Sequence, residues 1–94
     1  MGITVTNGAS GTVNVSISTW KKEDKDGSDD YFQINQGSNE SWKRSDSRGY
    51  LMAVKINAKI NEYYISANSK IVVEDNLVKD QGQTLTPLVL ENNM

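Results

Sequence analysis

The chain has 94 residues, ten basic and twelve acidic side chains for a net charge of −2, and neither cysteine nor histidine. That length is one domain's worth, residues 1–94, able to bury about 60 to 65% of its unfolded surface. Without cysteine there is no disulfide and no thiol nucleophile; without histidine the usual general base, the usual zinc ligand and every Ser-His pair are gone, and the acidic balance argues against nucleic acid and anionic membranes.

From the N-terminus, Ile3 and Val5 alternate with Thr4 and Thr6 as a strand does. "MGITVT" also fits a myristoylation pattern, but no second anchor signal comes after it. "NGASGT" (7 to 12) supplies turn residues before a second alternating run, Val13, Val15 and Ile17. The outward set of that run is Asn14, Ser16, Ser18 and then Trp20, so the register predicts an indole on the polar face at the strand end. "KKEDKDGSDD" (21 to 30) reads as an exposed acidic loop; it misses the EF-hand pattern, because counting from Asp24 puts glycine at the fourth position and Asn35 at the twelfth. "YFQIN" (31 to 35) is a short strand with Phe32 and Ile34 inward, and "QGSN" leads into "ESWKR", where the face of Trp42 is undecided.

From Tyr50 the even positions Tyr50, Met52, Val54, Ile56, Ala58 and Ile60 are all apolar. Either this is one long strand, or a hairpin turns near Asn57 and Ala58. "EYYIS" (62 to 66) and "KIVVE" (70 to 74) are further strands, and Pro87 in "TLTPLVL" belongs on an edge or at a bulge, since it cannot donate to a ladder. Seven to nine short strands with Gly, Asn and Ser turns predict an all-β fold, a compact antiparallel β-sandwich. Leu51, Ala53, Val72, Leu88 and Leu90 lie opposite apolar rows, an excess that a homodimer interface would absorb.

Aligning the tryptophans exposes an echo. "WKKEDKDG" (20 to 27) and "WKRSDSRG" (42 to 49) share Trp-Lys-basic-x-Asp-x-x-Gly, which suggests two similar loops on one rim of the sandwich. A sugar ring presents an apolar C–H face ringed by hydroxyls, so its site needs an aromatic platform and a few fixed polar groups. Trp42, Arg44, Asp46, Ser47, Arg48, Gly49 and Tyr50 have that chemistry, and Trp20 with Asp26, Asp29, Asp30 and Tyr31 could complete it. The competing reading is structural: Asp46 and Arg48 pair to stiffen a turn that Gly49 permits. A hydrolase using Asp29, Asp30 and Asp46 would need a cleft that so small a domain rarely provides, so the chain is expected not to be an enzyme.

The run "GTVNVSISTW…DGSDDYFQINQGSNESWKRSDSRGYLMAV" resembles the small α-galactosyl-binding fruiting-body lectins of the Lyophyllum type, most distinctly over residues 3 to 54. The resemblance implies a homodimer of β-sandwiches that binds glycans with terminal galactose, as in Galα1,4Gal, without catalysis; no cofactor is expected, and the acidic balance with no basic patch or amphipathic helix argues against nucleic acid and membrane insertion. It carries the motif onto Trp42, Arg44, Asp46, Arg48 and Gly49. The expected roles are Asp46 accepting from sugar hydroxyls, Arg48 donating to ring or linkage oxygens, and Trp20 or Tyr31 stacking. With no signal-peptide pattern at its start, the chain is expected in the cytoplasm or released by a non-classical route.

Overall fold

The computed structural model describes residues 2–25 and 27–88, and among them there is no helix. Nine strands run in chain order: β1 (Ile3–Asn7), β2 (Val13–Ile17), β3 (Phe32–Ile34), β4 (Asn39–Trp42), β5 (Tyr50–Ile56), β6 (Lys59–Ile65), β7 (Lys70–Val73), β8 (Val78–Asp80) and β9 (Gln83–Thr84). They form two sheets, β4-β1-β7-β8-β9 and β3-β2-β5-β6. In β1 and β2 every odd residue is buried, because a pleated strand sends alternate side chains to opposite faces. Ile3, Val5, Val13, Val15, Ile17, Met52, Ile71 and Val73, nearly or fully removed from water, are the heart of the core between the sheets.

The second sheet is antiparallel throughout, but β1 pairs with β7 in parallel, Val5 lying opposite Ile71. Alternation along one strand carries no information about the direction of its neighbour, so the purely antiparallel expectation missed this pair.

The long apolar row from Tyr50 is a hairpin. Ile56 pairs with Lys59 around Asn57 and Ala58, and Asn57 takes a left-handed φ of 58° that asparagine tolerates. The turn inverts the parity of the next strand. Met52 and Val54 are buried on β5, whereas on β6 the inward residues are Tyr63 and Ile65, and Ile60 is exposed. Phe32 lies opposite Val15 on the inner face as expected, but β3 is an edge strand, so Phe32 stays partly open and meets the Trp42 ring edge-on with centroids 5.9 Å apart.

The chain beyond β9 crosses from one sheet to the other. The Leu85 amide donates to the Val78 carbonyl and the Leu88 amide to the Glu62 carbonyl, with Pro87 between them beside β6. Of the apolar residues expected on a second face, Leu51 and Leu88 are exposed and Ala53 and Val72 half-buried, while Leu90 lies outside the described residues.

Candidate functional site

The echoed stretches fold into matching turns. In the first, the Gly27 amide donates to the Asp24 carbonyl at 2.8 Å; in the second, the Gly49 amide donates to the Asp46 carbonyl at 3.3 Å. Each aspartate side chain then fastens its own loop. Asp24 Oδ2 accepts from the Trp20 amide at 3.0 Å, and Asp46 Oδ1 accepts from the Arg48 amide at 2.7 Å. The two loops meet at Tyr50, whose hydroxyl accepts from the Asp46 amide at 2.9 Å and donates to Asp24 Oδ2 at 2.8 Å. Burial, with the neighbouring Asp24 carboxylate adding to it, pushes the Tyr50 hydroxyl above its ordinary pKa. Both loops therefore share one rim.

On that rim Asp46 and Arg48 form a two-pronged ion pair, Nε to Oδ1 at 2.9 Å and Nη2 to Oδ2 at 2.7 Å, and Nη2 also reaches Glu23 at 3.2 Å. Hydrogen bonds from the Arg48 side chain, then from its amide, hold the Asp46 carboxyl at about 2 against an ordinary 3.8. The guanidinium carbon lies 3.5 Å from the centre of the Trp20 ring, and the indole N–H donates to the Gly49 carbonyl at 2.8 Å. Trp20 lies beyond the last residue of β2, where strand register no longer governs. It is half-buried against the core with Arg48 across its face, so it is not the open stacking platform that its parity suggested.

Two sequence candidates prove internal. Trp42, 6% exposed, points into the core from β4, and Arg44 is 3% exposed. The Arg44 guanidinium is held by four carbonyls, those of Ser18 at 2.9 Å, Lys43 at 3.0 Å, Ile17 at 3.1 Å and Ser28 at 2.8 Å. It clamps the acidic loop to the end of β2, and a Cβ on Gly27 would come within 2.7 Å of its Nη1. Neither side chain has the surface to meet a ligand, which corrects their assignment as sugar contacts. Gly49 is buried at φ 90°, where an added Cβ would strike the Tyr64 hydroxyl and approach the Ile65 carbonyl at 2.9 Å.

Ser47 and Arg48 remain open to solvent. Asp30 and Tyr31 are exposed just before β3, and no hydrogen bond among the described residues ties them to the 42–50 loop. Asp26 lies outside the described residues, and among the others no three acidic groups converge as a metal site would require.

Sequence reasoning missed Tyr64. At 60% exposed it is the most open large hydrophobic side chain among the described residues; it stands opposite Leu51 on the outer face of the second sheet, and its hydroxyl donates to the Arg48 carbonyl. The signal was present in "EYYIS": adjacent tyrosines on a strand must face opposite ways, so one of them is outside. Exposed Arg48, Tyr64 and Leu51 thus lie together at the rim, backed by half-buried Trp20 and buried Gly49 through hydrogen bonds and the cation-π contact. No family model, curated protein or solved structure matches the chain.

Proposed function

We propose that the protein is a non-catalytic lectin for terminal α-galactosides, made multivalent by homodimerisation. The observation that carries this is the rim itself. Exposed Tyr64 and Leu51 offer an aromatic and apolar floor, and Arg48 beside them is pinned by Asp46, Glu23 and Trp20 with its Nη1 donors unused among the described residues. A sugar site needs such a pairing of an apolar face with donors fixed in advance, because flexible donors lose entropy on binding. Stacking falls to Tyr64 rather than Trp20, and Asp46 acts by holding Arg48 in position. The resemblance of residues 3 to 54 to the mushroom lectins supports the choice of galactose. Hydroxyl hydrogen bonds only replace those to water, so a single site is weak and a second copy adds avidity.

A glycan array is the direct test. Binding to α-galactosides above background is expected, with Tyr64→Ala losing it while the melting temperature stays near that of the parent; an array with no galactoside signal overturns the reading. The exposed Leu51, Tyr64 and Ile60 favour one other function, a defence protein that docks on another protein through the outer face of the second sheet. No helix among the described residues is long and apolar enough to cross a membrane.

A further inference from the structure

Between the sheets lies a cleft of about 580 Å³ that has no part in the rim. Its walls are the β5–β6 hairpin, the turn from Glu74 to Leu77 between β7 and β8, and the crossing segment that contains Leu85 and Pro87. Each wall is fixed by hydrogen bonds. The Glu74 amide donates to the Leu77 carbonyl at 2.8 Å, Asp75 Oδ1 accepts from the Ser10 amide and hydroxyl at 2.8 and 3.0 Å, and the Leu85 and Leu88 amides tie the crossing segment to both sheets. The volume falls within the range of small-molecule sites.

Tyr63 is the unusual lining residue. It is 4% exposed, and its hydroxyl has no hydrogen-bond partner among the described residues. Burial alone pushes its pKa up. A buried tyrosine normally finds a partner for its O–H, so a hydroxyl left over in a cleft wall is a donor and acceptor in wait for a ligand. The amides of Asn57, Asn61 and Asn76 supply further donors and acceptors, and Val54, Leu85 and Pro87 supply apolar wall. The acids on the lining already have partners: Glu74 faces Lys79 at 3.7 Å, and Asp75 is held by Ser10. Lys59, exposed on the β5–β6 hairpin, adds one cation, so the lining carries both signs, which suits a neutral molecule better than an ion.

We infer that this cleft is a second binding site, for a neutral, hydroxyl-bearing ring of about the size of a hexose, seated against Leu85 and Pro87 with the Tyr63 hydroxyl and the three asparagine amides on its polar groups. The site stands whether or not the rim binds a galactoside.

The test is a titration of the full chain with D-galactose, D-glucose and myo-inositol, separately, monitored through backbone and asparagine side-chain amide resonances. Saturable shifts at Asn57, Asn61 and Asn76 are expected with at least one of these probes, and Tyr63→Phe should weaken that binding about tenfold by removing one hydrogen bond. Asn61→Ala provides a second variant and should weaken it likewise. Absence of saturable shifts in the cleft overturns the inference, as does unchanged affinity in both variants. Shifts confined to Trp20, Arg48 and Tyr64 also overturn it, while supporting the rim as a sugar site.

Discussion

Replacing Arg44 by methionine keeps most of the side chain's volume and removes only its donors. The loss is large because the guanidinium, 3% exposed, serves the carbonyls of Ile17, Ser18 and Ser28 in addition to that of its neighbour Lys43. Each hydrogen bond to a charged group is worth about 1.5 to 3 kcal/mol, but bonds to one group do not add, and the charge's own desolvation offsets part of them. Breaking a buried network of this kind costs about 3 to 5 kcal/mol. For a domain this size that lowers the melting temperature by roughly 15 to 25 °C. Thermal unfolding monitored by circular dichroism measures the drop directly, with Arg48→Met as the control. Arg48 also pairs with a carboxylate, but from an exposed position, and its loss should lower the midpoint by a few degrees at most. If Arg44→Met melts no lower than Arg48→Met, the clamp contributes nothing to the fold and Arg44 must be explained otherwise.

Gly49→Ala should destabilise by about 2 to 3 kcal/mol, because alanine is strained at φ 90° and its methyl meets Tyr64 and the Ile65 carbonyl; a urea midpoint equal to the parent's would refute this. Acid titration of stability should show Asp46. Its folded pKa of about 2 lies below the ordinary 3.8, so its contribution is complete above pH 4 and fades as the pH falls through about 2. Asp46→Asn should flatten that part of the stability curve, and an unchanged acid limb would contradict the pairing. Trp42→Ala should cost about 3 to 5 kcal/mol as a core truncation and lower any galactoside binding only through unfolding. Retained stability with lost binding would instead return Trp42 to the site.

The sandwich was legible because a buried sheet face imposes period two on the sequence. Val13-Val15-Ile17 and Tyr50-Met52-Val54 obey that period, and their inward faces are those observed. Their length and turns likewise fixed the strand count within its range. Periodicity could not say where Trp20 and Trp42 end up. The first lies past the end of its strand, where register stops applying; the second lies on an edge strand whose exposed and buried sides depend on the opposing sheet.

The candidate site divides in the same way. The paired "WKxxDxxG" stretches were visible in the sequence, and local chemistry explains why both make an Asp-to-Gly turn. Short-range constraints were thus written into the chain: strand parity, turn positions, and the Asp46–Arg48 pair two residues apart. It took the assembled sheets to make Arg44 an internal clamp, to stand Tyr64 beside Arg48, and to place Tyr63 behind a cleft on the opposite face of the same strand. Those relations join residues 10 to 30 positions apart or more. They are set by the packing of one sheet on the other, for which no pattern within a single strand holds the information.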